Sequence, residues 1–189
     1  MAVYIYGIIA AGWLIWFSPF VLAQWKAKRA ARATRGSVQI DPRARWGMLL
    51  QAVSYGILWQ NPFWTRSPRI WQVALSLLCL SLACLFSWTA TPSLGPQWRL
   101  DAGLNSDHEL VTCGPYRIVR HPIYASMLCL LLGMGLLVAP FPLLLLAAAV
   151  LITGTEIRVH IEDKLLASRF GDLFADYRRK VPAYVPFLR

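Results

Sequence analysis

The sequence predicts an all-α, polytopic membrane protein with about five transmembrane helices, and three observations predict it. Hydrophobic residues fill 57% of the 189 positions and charged residues only 15%, a balance outside the usual range for a soluble domain. Several uncharged runs are long enough to cross a bilayer, which takes roughly 20 mostly apolar residues. The basic residues behind the net charge of +10 are gathered between and after those runs instead of being spread along the chain.

The first span is expected at about residues 3–24, within an uncharged run. Met1 to Gly7 carries no basic side chain, unlike the start of a secretory signal peptide, so this segment is expected to be retained. A weaker run between Arg45 and Arg66, containing Gln51, Ser54, Gln60 and Asn61, predicts a second span at about 46–63. The third is placed at 70–90. The run from Pro122 to Thr155 is too long for one helix, and Pro140 and Pro142 oppose continuity. It reads as a hairpin of two arms, 122–139 and 143–166, the second extending beyond the bilayer. Phe170-Gly171, then Leu173, Phe174 and Tyr177, then Val181-Pro182 predict a short amphipathic helix ended by proline, packed on the membrane face or over a site.

Lys26, Lys28, Arg29, Arg32, Arg35, Arg43 and Arg45 fall in the first loop, and Lys164, Arg169, Arg178, Arg179, Lys180 and Arg189 follow the last span. That is the positive-inside pattern of a multi-pass protein, and it removes the case for nucleic acid as the partner of the basic charge. It puts the amino terminus outside and the carboxy terminus in the cytoplasm, in a plasma, inner or endoplasmic-reticulum membrane according to the host. The Ala/Arg-rich segment 24–45 reads as this topology signal, or as a helix lying on anionic lipid headgroups. The tryptophans fall mostly near span ends, as aromatic belts do. Cys79, Cys84, Cys113 and Cys129 have no metal-ligand spacing, so neither disulfides nor a metal site is expected. The chain reads as one integral-membrane domain, 1–189, with N-terminal membrane helices over 1–99 and the polar motifs within 100–189.

Two clusters carry the chemistry. Gly-Pro-Tyr-Arg-Ile-Val-Arg-His-Pro-Ile-Tyr, residues 114–124, sets two arginines, a histidine and two tyrosines where a span begins. Charges near hydrocarbon are costly unless partnered. His121 before Pro122 reads as the cap of the fourth span, whose free N–H groups together with Arg117 and Arg120 favour an anion; contact with lipid phosphates is the plainer reading. Tyr116 and Tyr124 offer flat faces for a ring. At the other end of the hairpin, Arg158 and Glu162 share one helix face, with Glu156, His160 and Asp163 on a neighbouring one. An intrahelical ion pair is the plain reading. A carboxylate for an ammonium beside a guanidinium for a carboxylate also suits a zwitterionic, amino-acid-like ligand.

Ser106 to Thr112, the 114–124 string, Arg158 with Glu162-Asp163, and the aromatic and proline pattern of 170–187 together resemble the isoprenylcysteine carboxyl methyltransferases. The resemblance implies an integral-membrane enzyme that moves a methyl group from S-adenosyl-L-methionine to the carboxylate of a lipidated or hydrophobic acceptor. It further implies a cofactor pocket made by His108, Glu109, Leu110, Val111, Tyr116, His121, Pro122, Ile123 and Tyr124, with Glu162 at the cofactor's end. Arg158 would orient the acceptor carboxylate. Two positions depart from the family's usual residues: Ser126 stands where glycine is common, and Asp163 where glutamate is. The rival readings are a phospholipid N-methyltransferase, in which His160 or Asp163 would act as base, a nicotinamide-dependent lipid reductase, and a non-catalytic membrane scaffold.

Overall fold

The computed structural model describes residues 2–31, 38–62, 64, 66–98, 103–105 and 109–186. Six α-helices account for most of it: α1 Ala2–Ala31, α2 Ala44–Ile57, α3 Ile70–Leu94, α4 Pro122–Val138, α5 Phe141–Phe170 and α6 Asp172–Lys180. Single 3-10 turns occur at Gly95–Gln97 and Gly114–Arg117. Two three-residue strands, β1 Val38–Ile40 and β2 Gly103–Asn105, pair antiparallel with Gln39 opposite Leu104. Residues 38–40 are thus strand, which limits the surface-helix reading of 24–45 to its α1 portion.

All five expected spans are helical, but their lengths differ from the expectation. Three segments are long and apolar enough to cross a membrane: Tyr4–Trp25 within α1, α3 and α5; α4 is a shorter apolar helix. The second helix stops at Ile57 instead of residue 63, leaving 14 residues, about 21 Å at the usual rise. Pro62 disfavours a helical residue 61, and the Asn61 side chain donates to the Leu58 carbonyl at 2.9 Å, satisfying one of the freed acceptors. The third helix continues past Pro92 until Gly95, whose φ of 53° ends it. At the hairpin, Ala139 and Pro140 are extended, and Pro142 lies in the first turn of α5, where its missing N–H costs nothing. Arg66 donates to the Ala139 carbonyl at 3.0 Å and tethers this turn.

Small and polar residues bring the helices together, as expected where lipid removes the hydrophobic contrast. α3 packs on α4 and α1, while α2 packs on α5. The Ser76 hydroxyl donates to the Gly133 carbonyl at 2.6 Å, and a Cβ at Gly133 would collide with Leu80. Between α2 and α5 the backbones approach at Gly47 and Gly154, where an added Cβ on either would lie 2.6 Å from the other's carbonyl oxygen. α1 is held through the Trp16 indole N–H, which donates to Ser126 Oγ at 2.9 Å. Ser126 is therefore a fully buried anchor for α1, a use that glycine could not serve.

Candidate active site

The two polar clusters of the sequence meet at the N-terminus of α4. His121 is held out of the helical region before Pro122, with φ −124° and ψ 65°, and occupies the N-cap position, yet its side chain caps nothing. Its ring instead reaches α5: Nε2 lies 2.9 Å from Asp163 Oδ1 and Nδ1 lies 3.3 Å from Glu162 Oε2. Burial acts to lower the His121 pKa, but the hydrogen bonds and charges of Asp163 and Glu162 outweigh it and push the value up to about 9. The group is therefore an imidazolium at neutral pH.

Arg120 donates to Asp163 Oδ2 at 2.9 Å, with both side chains 8% exposed. On the Glu162 side, Arg158 Nε donates to the Tyr124 hydroxyl at 2.7 Å. That hydroxyl donates in turn to Glu162. The Arg158 guanidinium also lies 3.6 Å from Glu162 and stands over the Tyr124 ring. Arg120, His121 and Arg158 thus face Glu162 and Asp163 where α4 begins against α5.

The tail fixes this arrangement. The N–H groups of Arg120 and His121 precede α4 and have no helical acceptor; they donate to the carbonyls of Pro182 and Ala183 at 2.8 and 2.7 Å. The Arg120 guanidinium donates to the Val181 carbonyl, and the Tyr177 hydroxyl to the Tyr116 carbonyl. Tyr184 packs beside Val119 and Tyr124 and donates to Glu156. The expected helix over the site is α6, which buries Phe174 and sends Tyr177 into the site wall.

A cavity of about 480 Å³ opens beside the cluster, a size typical of small-molecule sites. Arg158 and Glu162 line it from α5, and His121, Pro122, Ile123 and Tyr124 from the start of α4. Glu109, Leu110, Val111 and Tyr116 line it from the preceding loop. With its amide oriented to satisfy both bonds, Gln97 brackets the Glu109 backbone, donating to the carbonyl at 2.7 Å and accepting the N–H at 3.3 Å. His108 lies outside the described residues. Arg117, expected near an anion, is exposed and does not line the cavity, and His160 and Glu156 are likewise exposed on α5. Among the described residues, no three His, Cys, Asp or Glu side chains converge as a metal-ligand set.

Sequence reasoning missed the opposite wall. Trp13, Trp16 and Phe20 of α1, with Trp98 and Tyr55, line the cavity as a connected set of edge-to-face and tilted rings. Only the absence of these tryptophans from a span end distinguishes Trp13 and Trp16 from an aromatic belt. Gln51 of α2 was missed as well; it is polar, 3% exposed and faces the same space.

A family model described as phospholipid methyltransferase matches residues 71–173, just over half of the chain and beginning in α3. The chain is 40% identical over 84 residues to a protein-S-isoprenylcysteine O-methyltransferase of Schizosaccharomyces pombe, covering 44% of this chain and 36% of that protein. It is 33% identical over 150 residues to a cobalt-zinc-cadmium resistance protein of Cupriavidus metallidurans, covering 76% and 62% respectively. A protein-S-isoprenylcysteine O-methyltransferase B of Arabidopsis thaliana is 26% identical over 163 residues, covering 84% of this chain and 81% of the relative. The matches thus span about a third of the yeast protein and three-fifths of the resistance protein.

Proposed function

The chain belongs to the phospholipid methyltransferase family, and from that premise we propose that it is an S-adenosyl-L-methionine-dependent methyltransferase that esterifies the carboxylate of a lipid-modified or otherwise hydrophobic acceptor. The observation that carries the reading is the buried Arg158 guanidinium in the polar wall of a cavity whose far wall is aromatic. Such a cavity complements an anion attached to an apolar body.

The residues present fit the cofactor. Its amino-acid end needs a carboxylate and N–H donors; Glu162 is only partly covered, and Arg120 Nε is buried with no hydrogen-bond partner among the described residues. Glu109 to Val111, Tyr116 and His121 to Tyr124 would enclose the rest, with Trp98 and Tyr116 offering faces to a ring. When bound, the cofactor supplies an electrophilic methyl group on a sulfonium.

Arg158 would hold the acceptor carboxylate. Tyr124 and Glu162 fix one edge of its guanidinium and Gly47 backs its stem, so its direction is set before the acceptor arrives. A carboxylate is already nucleophilic at neutral pH and needs no base. Rate then comes from alignment and from replacing water by fixed donors. An amine acceptor would have to lose a proton. Of the two candidate bases for that chemistry, His160 is exposed away from the cavity and Asp163 is committed to Arg120 and His121, which favours the carboxylate. The positive-inside pattern supports a cytoplasmic site within a single membrane domain.

The test is transfer of labelled methyl from S-adenosyl-L-methionine to a farnesylated cysteine by purified protein in detergent. Base-labile label that disappears in Glu162→Ala is the expected result. Label that resists base, or that forms on an amine lipid instead, would overturn the carboxylate reading.

A further inference from the structure

The exposed apolar surface of the bundle is shorter than an ordinary bilayer is thick. On α3 the exposed Trp71 and Trp88 bound an uncharged run that turns Leu78 and Leu85 outward; they stand 17 residues apart, about 25 Å at the usual rise. On α5 the exposed apolar face runs from Phe141 through Leu145 and Ile152. It ends at Glu156, an exposed carboxylate 15 residues from Phe141, about 22 Å away. His160 is exposed one turn further on. α2 turns Leu49 and Val53 outward and has only 14 residues, with Arg45 exposed at its start. An ordinary hydrocarbon core is about 30 Å thick, and any tilt shortens these spans further.

The ends of these belts lie at matching depths. At one end Arg66 reaches the Ala139 carbonyl, two residues before Phe141. At the other, hydrogen bonds cross the bundle near one level. The Trp88 indole N–H donates to the Ile15 carbonyl, and the neighbouring Trp16 donates to Ser126. Beside Ser126, the Met127 carbonyl accepts from Tyr55; one turn earlier on α2, Gln51 donates to Thr155, next to Glu156. Trp88 and Glu156 therefore mark one plane on two helices. α4 agrees, since its 17 residues between His121 and the Arg66 tether span about 25 Å. α1 is longer, but beyond Trp16 it lines the cavity with Phe17, Phe20, Val21 and Gln24. Those turns wall the site, and Trp25 is exposed at their end, as tryptophans at a membrane interface are.

We infer that the exposed faces of α2, α3 and α5 are an interaction surface for a thin bilayer, one whose hydrocarbon core is about 22–25 Å deep and whose lipids carry acyl chains of fourteen to sixteen carbons. Tryptophan favours the interface and a charge in hydrocarbon is costly. A thicker core would draw Trp88 below the headgroups and cover Glu156 and His160. Thinning of the lipid or tilting of the bundle relieves such a mismatch, at a cost that grows with each ångström. Arg158 follows Glu156 by half a turn, so in the matched bilayer the polar end of the cavity opens at the aqueous edge. The inference stands apart from the proposed methyl transfer.

The experiment reconstitutes the full-length protein, at one lipid-to-protein ratio, in vesicles of phosphatidylcholines whose monounsaturated chains run from fourteen to twenty-two carbons. Unfolding is followed by circular dichroism. The melting temperature is expected to be highest with fourteen or sixteen carbons and about 5 °C or more lower with twenty-two. Glu156→Leu lengthens the apolar face of α5 by one turn, as far as His160, and should move the maximum to chains about two carbons longer. Arg45→Leu lengthens the face of α2 in the same direction, and serves should the first variant fold poorly without its bond to Tyr184. A wild-type maximum at eighteen carbons or more, or no dependence on chain length, overturns the inference. So does a maximum that neither substitution moves, because the optimum would then belong to the lipid and not to the length of the protein's belt.

Discussion

Gly47→Ala tests whether helix packing sets the chemistry. The added methyl would lie 2.6 Å from both Arg158 Cγ and the Gly154 carbonyl oxygen, whereas ordinary contact begins near 3.4 Å. The gap has to widen by roughly 0.8 Å, and because one obstacle is backbone, a rotamer change cannot supply it. Overpacking of this kind costs about 1–3 kcal/mol. The same movement separates Gln51 from Thr155, both buried, and displaces the Arg158 stem. A shift of about 1 Å in an orienting group is enough to lower turnover on the order of 100-fold. Methyl transfer and thermal unfolding, measured on one detergent preparation, should therefore show a modest loss of stability with a disproportionate loss of rate. Wild-type transfer by Gly47→Ala would refute the argument that the α2–α5 contact holds Arg158 in place.

Asp163→Asn removes the counter-charge shared by Arg120 and His121, and breaking a buried pair of this sort should destabilise by about 3–5 kcal/mol; an unchanged melting temperature would contradict the buried network. The pH dependence has a defined sign. His121 is raised to about 9 in the folded protein from an unfolded value of about 6.5, so its stabilisation is complete below about 6.5 and is lost as pH rises through about 9. Melting temperatures followed across this window should fall on the alkaline side, and a fall on the acid side of neutrality alone would contradict the assignment. Arg158→Lys keeps the charge but loses the fork that meets both Tyr124 and a carboxylate; kcat/KM for the acceptor should drop at least tenfold with cofactor affinity little changed, as separate titrations would show. Truncation after Lys180 strips the N–H groups of Arg120 and His121 of their acceptors and should abolish transfer while α1 to α5 remain inserted, which protease mapping in vesicles can check.

What the sequence made legible was chemistry concentrated in short strings. Residues 114–124 and 156–163 carry polar groups that apolar surroundings force into partnership, and Pro140 and Pro142 show that the chain turns back between them. Their meeting could be argued without coordinates. The partner of His121 could not, because an N-cap position favours a bond to the helix's own N–H groups, and only the placement of α5 offers the ring two carboxylates instead. Arg117 and Arg120 look alike in sequence, three residues apart. The tail's carbonyls at 181–183 distinguish them by fixing the backbone at 120 and 121, leaving Arg117 to solvent. Trp16 and Gln51 were harder still. Each reaches the cavity through long-range contacts of apolar helices, Trp16 with Ser126 and Gln51 with Thr155, and neither contact leaves a periodic trace in the chain.

The location of the charged groups along α5 explains how a membrane helix can carry them. Phe141 to Thr155 are uncharged, so the first half of the helix can lie in hydrocarbon while Arg158, Glu162 and Asp163 fall near its aqueous end. There a charge costs less than the roughly 2.5–3.5 kcal/mol it would at the bilayer centre. The remaining cost is offset within the fold, by pairing each carboxylate with groups of the α4 entrance and by closing that entrance with the tail. Partial pairing would be unfavourable, since a buried charge left without its partner is worse than none. The site should therefore assemble as a unit, and the anionic acceptor proposed above would meet the Arg158 guanidinium within it. The aromatic wall from α1 would suit an apolar remainder of that acceptor. Under that proposal charge and hydrophobicity are selected together, in one cavity, by helices from both ends of the chain.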